Sequence, residues 1–157
     1  MKLLIEYLDN YDKNWGELTY KHADDSGFDL RAAIKEPIVL KPGEYRLIDN
    51  GIKIEFQGPF PLDDNFTYEI QVRPRSGLAA KFGIGITNTP GTVDFGYRGE
   101  LKTNLVNLGS EDFVINPGDR IAQAVVCPVL KAHIISVEAV SSDTSRGAGG
   151  FGSTGRT

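Results

Sequence analysis

Two-fold alternation of apolar and polar residues is the pattern that most restricts what this chain can become. Phe66, Tyr68, Ile70 and Val72 alternate with Thr67, Glu69, Gln71 and Arg73. In an extended chain successive side chains point to opposite faces, so this spacing predicts a strand with one buried and one solvated face. Runs of similar character occupy residues 3–7, 28–32, 38–40, 45–48, 52–56, 101–106, 112–115, 121–129 and 133–137. Turn residues punctuate them at 41–43, 49–51, 59–64, 108–109 and 116–119. Many short strands with regular turns predict an all-β fold, a jelly-roll-like sandwich or barrel. One short helix is expected at 76–82, with Ser76 as its cap and Gly83 as its stop. Residues 141–157 are rich in Ser and Gly and lack periodicity, the composition of a flexible arm. The expected division is therefore a β domain over 1–140 and an arm over 141–157.

A length of 157 residues suits one domain with a real core. The net charge of −4 offers no broad field for a nucleic-acid backbone. A small anionic ligand needs less, since a few local arginines and backbone N–H groups suffice. Cys127 is the single cysteine, which excludes an intrachain disulfide; in the apolar run 121–130 it reads as core filler rather than nucleophile. His22 and His133 are too isolated to suggest zinc. Residues 1–8 carry Glu6 and read as a first strand, not a signal peptide, and no segment is apolar enough to span a membrane. A reducing, cytoplasmic compartment fits (the host cytosol if the chain is viral).

Five segments can carry chemistry. Residues 88–99 place a carboxylate, Asp94, three positions before an aromatic, Tyr97, with Gly91, Gly96 and Gly99 baring the backbone around them. Such a turn can bring its N–H and C=O groups against a flat ligand beside a general base, or it can be an ordinary hairpin with an exposed Asp. Pro74-Arg75-Ser76-Gly77 stands where a strand meets the short helix. Arg75 there suits phosphate oxygens, or it is a surface arginine next to a capped helix. Residues 116–123 form a turn entering a strand. Alternation puts Gln123 on one side with Ile121 and Val125, where a polar group needs a partner; turn chemistry alone also accounts for the segment. Residues 145–155 combine Arg146, Phe151 and many glycines, as a closing lid or a disordered terminus would. In 24–31, Asp24 and Asp25 read as solvated loop charges. Asp29 can steer waters around a metal ion, though not in an EF-hand, whose spacing is absent.

Taken in order, Asp25-Ser26-Gly27-Phe28-Asp29-Leu30-Arg31-Ala32, Pro74-Arg75-Ser76-Gly77-Leu78-Ala79, residues 88–99, Pro117-Gly118-Asp119-Arg120-Ile121-Ala122-Gln123 and residues 146–153 resemble the five motifs of the trimeric deoxyuridine triphosphatase (dUTPase) family. The resemblance spans nearly the whole chain. It implies a homotrimer with three active sites, each built from three chains, and hydrolysis of dUTP to dUMP and pyrophosphate with Mg2+ on the triphosphate. It implies Asp94 as the general base for water attacking the α-phosphorus, and Tyr97 against the deoxyribose, leaving no room for a 2′-hydroxyl. Asn88, Thr92 and Val93 would form the uracil pocket, with Lys102 beside it. Arg75, Ser76, Gly77 and Gln123 would hold phosphates. Arg146, Phe151, Gly152 and Ser153 would form the lid, from a neighbouring chain, and Asp29 would reach the metal only through water. Neither nucleic acid nor membrane is an expected partner.

Elementary chemistry agrees with that implication. Phosphoryl transfer asks a protein for position and charge stabilisation, and the chain offers no Cys or Ser with an obvious His partner for a covalent intermediate. Three departures from the commonest family wording stand out: Asp49-Asn50 in place of Pro-Thr, a long 56–65 loop, and Gly96 where Asp is frequent. Two other readings compete. One is a dCTP deaminase of the same fold, whose central motif is worded differently. The other is a non-catalytic nucleotide-binding module.

Overall fold

The computed structural model describes residues 1–58 and 65–150. In chain order the strands are β1 (Lys2–Tyr7), β2 (Phe28–Arg31), β3 (Ile38–Leu40), β4 (Tyr45–Asp49), β5 (Ile52–Gln57) and β6 (Phe66–Pro74). Helix α1 (Ser76–Phe82) follows, then β7 (Ile84–Ile86), β8 (Gly91–Asp94), β9 (Lys102–Asn107), β10 (Phe113–Ile115) and β11 (Arg120–Leu130). Among the described residues no helix is long and apolar enough to cross a membrane. The all-β expectation with one short helix holds.

Strand pairing explains which side chains go inside. The order β2-β11-β6-β8 makes the largest sheet, β4-β9-β7 a second, and β1-β5 and β10-β3 two further pairs. All the pairings are antiparallel. Period-two geometry turns Ile70 and Val72 of β6 inward, where they meet Leu30, Ala122 and Ala124 of the same sheet and Ile48, Ile84 and Leu105 of the second. Burying each such aliphatic side chain stabilises the fold by roughly 1.5–3 kcal/mol. The opposite face of β6 carries Glu69, Gln71 and Arg73, none of them buried.

Several expectations are corrected. Residues 133–137 form no strand, and Ile134 and Ile135 stand 97% and 78% exposed. Alternation prescribes the faces of a strand but supplies no ladder partner. Without a neighbouring edge, the backbone groups turn to water. The short Ile84–Ile86 and Gly91–Asp94 strands were not foreseen, because a few residues with glycine among them carry too little pattern. Ser76 does not cap α1. Arg75 takes the cap position with extended backbone and no side-chain cap bond, because a guanidinium carries only donors and cannot accept a helix N–H. Gly83 does end the helix, at φ 68°. Cys127 is not core filler but half-buried on the outer sheet face, 3.7 Å from an Arg73 nitrogen. Ile121 does not share a side with Gln123, because the β11–β2 register shifts between Arg120 and Ala122 and turns Ile121 into the core.

Asn107 shows how the smaller sheets are joined. Fully buried, its Nδ2 donates to the carbonyls of Leu40 and Glu111, both at 2.8 Å, and its Oδ1 accepts from the Gly109 N–H at 2.9 Å. One amide thus ties β9 to β3 and to the turn before β10. Asn107→Ala strands these groups away from water and should cost about 2–4 kcal/mol in urea unfolding. A loss under about 0.5 kcal/mol would show that the three bonds are dispensable.

Candidate active site

The edge of the large sheet builds a basic cleft. Register brings Asp29 on β2 opposite Gln123 on β11, and Gln123 opposite Arg73 on β6. Gly27 makes the approach feasible, since a Cβ there would lie 2.6 Å from the Ala124 carbonyl and 2.8 Å from Gln123 Cγ. Pro74 ends β6, and Arg75 turns its side chain back across the sheet. Arg75 Nε donates to Asp29 Oδ1 at 3.0 Å, and Arg120 Nη1 donates to Asp29 Oδ2 at 3.2 Å. Arg75 Nη1 also donates to the Arg120 carbonyl at 3.0 Å. One carboxylate therefore orients two guanidinium forks. Partly exposed ion pairs add about 0–1 kcal/mol each, so their consequence is positional rather than stabilising.

Ser76, Gly77 and Gln123 join these three groups around a cleft of about 290 Å3. Its outer wall comes from the 19–25 segment, including Lys21, His22 and Asp25. Asp25 is more than a solvated charge, because its Oδ2 accepts the His22 N–H at 2.8 Å and shapes that wall. Charged side chains lining the cleft are Lys21, Arg75 and Arg120 against Asp25 and Asp29, three minus two, for a net +1 with His22 neutral. In a chain of net charge −4, this is a local excess of positive charge.

A second group of predicted residues gathers on the β8 hairpin. Val93 lies opposite Ile70 and packs on the core, so Thr92 and Asp94 face outward opposite Gln71 and Glu69. Phe95 stacks on Phe56 at 5.3 Å and pins the chain just after Asp94. The Tyr97 N–H bonds the Asp94 carbonyl at 3.0 Å, and the Tyr97 hydroxyl donates to the Glu100 carbonyl at 2.9 Å. Any side chain at Gly99 would strike that hydroxyl. The Asn88 amide lies against Gly91, 3.3 Å from where a Cβ would stand. Lys102 is engaged across the β4–β9 pair, with Nζ 2.7 Å from Asp49 Oδ1. This hydrogen bond, followed by the charge of Asp49, raises the Lys102 pKa above its ordinary value.

These two groups do not meet on one chain. Asp94 pairs with Glu69, while Arg75 lies six residues further along. At the rise of an extended strand that is roughly 20 Å. Arg146 is exposed and bonds the nearby Gly149 carbonyl at 3.0 Å. Phe151, Gly152 and Ser153 lie outside the described residues. Among the described residues no three His, Cys, Asp or Glu side chains gather as a metal site. Sequence reasoning missed Arg120, although it stands inside the 116–123 segment. It missed the Lys21–His22 wall, for which no spacing argued. It also missed a polar ladder on β6, in which Gln71 bonds Glu69 at 2.7 Å and Arg73 bonds Gln71 at 2.6 Å.

Comparison with known proteins bears on this arrangement. The family model described as dUTPase matches residues 13–155. The chain is 48% identical over 153 residues to the deoxyuridine 5'-triphosphate nucleotidohydrolase of Maricaulis maris, covering 96% of this chain and 94% of the relative. It is 49% identical to that of Bdellovibrio bacteriovorus, covering 97% and 95%. Among solved structures, the Staphylococcus bacteriophage 80alpha dUTPase with dUPNHPP has a TM-score of 0.74 at 26% identity, covering 98% of both chains.

The Asp49–Lys102 pair can be tested directly. A raised pKa in the folded state means that the pair's stabilisation is complete below the ordinary lysine value of 10.5 and fades as pH climbs through the folded value. In Asp49→Asn, an NMR titration of the Lys102 ammonium should show its midpoint falling back toward the ordinary value. An unmoved midpoint would mean that the bond does not persist in solution.

Proposed function

Because this chain belongs to the dUTPase family, we propose that it hydrolyses dUTP to dUMP and pyrophosphate by in-line attack of water on the α-phosphorus. The observation that carries this reading is the presence on one chain of two groups with opposite chemistry. One is a basic cleft suited to phosphates. The other is a hairpin presenting an outward carboxylate three residues before a tethered tyrosine.

The triphosphate lies in the cleft against Arg75, Arg120, the Ser76 hydroxyl, the Gly77 backbone and Gln123. Each arginine keeps further N–H donors free after its bond to Asp29. Uracil packs on the β8 hairpin, where Asn88 and the backbone of Thr92 and Val93 read its edge and Lys102 stands beside it. Tyr97 covers the deoxyribose and excludes a 2′-hydroxyl. Asp94 accepts a proton as the water oxygen bonds the α-phosphorus. The bond from that phosphorus to its bridging oxygen breaks, and pyrophosphate leaves with its charge on the arginines. Arg146, Phe151, Gly152 and Ser153 close over the bound nucleotide and exclude bulk water.

Asp94 and Arg75 of one chain stand too far apart for the two P–O–P bridges of a triphosphate to link them. The site is therefore shared, with the hairpin of one copy against the cleft of the next and the arm supplied by a third. A head-to-tail contact closes into a ring when its rotation permits, and the ring proposed here is a homotrimer.

Magnesium fits this donor set as an ion carried by the substrate. Asp29 spends one bond on each oxygen to the arginines, and its remaining lone pairs can hold water. Mg2+ retains several waters and binds chiefly through phosphates, so Asp29 would hold it through its hydration shell. Bound there, it would neutralise charge on the phosphates.

Two experiments follow. The wild-type chain should release pyrophosphate from dUTP with Mg2+ present. In Asp94→Asn, kcat should fall by about 10²–10⁴ while nucleotide affinity stays within about threefold. No pyrophosphate from the wild type, or near-normal turnover in the variant, would sink the mechanism. Co-refolding Asp94→Asn with Arg75→Ala should restore activity to about a quarter of wild type, because some sites then combine an intact hairpin with an intact cleft. If each site lay within one chain, the mixture would stay as inactive as its parts.

A further inference from the structure

Tyr97 owes its place to a residue outside the substrate's reach. Its hydroxyl hangs on the Glu100 carbonyl at 2.9 Å. The same peptide unit donates the Leu101 N–H to the Ile52 carbonyl at 2.9 Å. The Leu101 carbonyl accepts the Asn50 N–H at 3.0 Å. Glu100's side chain completes the grip, with Oε1 accepting the Gly51 N–H at 2.9 Å and Asn10 Nδ2 at 2.9 Å. Glu100 makes no salt bridge among the described residues. Its charge is met here by neutral donors, the kind of bond in which a carboxylate is a strong acceptor.

The β4–β5 turn that supplies the Gly51 N–H is itself closely seated. Gly51 has φ 69°, and a Cβ there would lie 2.7 Å from Ala33 Cβ and 3.0 Å from Tyr11 Cβ. Asn50, fully buried, donates to the Arg31 carbonyl at 2.8 Å and accepts from Thr103 Oγ1 at 3.0 Å. A continuous set of short contacts therefore runs from the core through the 49–52 turn and the Glu100 carboxylate to the tyrosine hydroxyl.

We propose that Glu100 is a positioning residue for sugar discrimination: its carboxylate, clamped by Gly51 and Asn10, fixes the peptide to which Tyr97 is tethered and so sets how strictly a ribonucleotide is refused. This inference rests on the reading of Tyr97 given above. Removing the carboxylate leaves the Gly51 N–H without its acceptor and the 100–101 peptide held on one side only, by the Leu101 N–H bond to Ile52. The phenol then has room to swing aside for a 2′-hydroxyl. A glutamine at the same place keeps an oxygen for both donors.

The test compares kcat/KM for dUTP and UTP across variants whose folding is checked by thermal melting. In Glu100→Ala the dUTP-to-UTP ratio should fall by about tenfold, chiefly through better use of UTP, and Tyr97→Phe should lower it in the same direction. Glu100→Gln should return the ratio to within about twofold of wild type, a rescue that loss of fold stability would not predict. Should Glu100→Ala not fold, Asn10→Ala removes the one side-chain donor to that carboxylate and should lower the ratio by about threefold. A folded Glu100→Ala or Asn10→Ala protein with an unchanged ratio overturns the inference, provided Tyr97→Ala relaxes selectivity. If Tyr97→Ala itself leaves the ratio unmoved, the reading of Tyr97 fails and this inference falls with it.

Discussion

The antiparallel pairing of β6 with β11 is the constraint on which the rest of the structure depends. It runs unbroken from Pro74 opposite Ala122 to Phe66 opposite Leu130. β8 lies along the other edge of β6 and β2 along the other edge of β11. Because side chains alternate strictly, this register decides two things at once. Inward, it sets Ile70 opposite Val126 and Val72 opposite Ala124, where small and branched residues interdigitate. Outward, it sets Glu69 between Asp94 and Cys127, and Gln123 between Asp29 and Arg73. A slip of one residue would exchange the two faces and bury the charges.

The outer row acts as a ruler. Hydrogen bonds from Arg73 to Gln71 and from Gln71 to Glu69 link its members along one strand face. The hairpin and the cleft are held apart at a set distance by backbone pairing, and the ladder ties the side chains between them. A reaction that needs little covalent participation from the protein depends on spacing of this kind. Charge is arranged with similar economy. Asp29 aligns two arginines without cancelling their capacity to bind an anion, since each guanidinium carries more donors than it commits.

Most of the architecture is readable from residue order. Alternation at 66–72 marks β6, and the glycines and prolines at 41–43 and 116–119 mark turns. Gly83 ends α1 for the reason that any left-handed terminus favours glycine. The failures share a cause. The 133–137 run alternates well enough, yet among the described residues no strand pairs with it. Ile121 was put on the wrong side by a bulge that no local pattern announces. Ser76 lies inside α1 while Arg75 takes the cap position and reaches Asp29, a residue 46 positions away.

By itself the sequence determined the all-β class, the turns, the family and the short segments that carry ligand-facing residues. Each of these depends on near neighbours, through periodicity, glycine and proline conformation, or an ordered run of side chains. Tertiary structure alone decided that Asp29 bridges Arg75 and Arg120, that Glu100 holds the tether of Tyr97, and that cleft and hairpin sit at opposite ends of one strand. Those outcomes arise from pairing between segments distant in the chain, and a one-dimensional pattern carries no term for the partner it will meet.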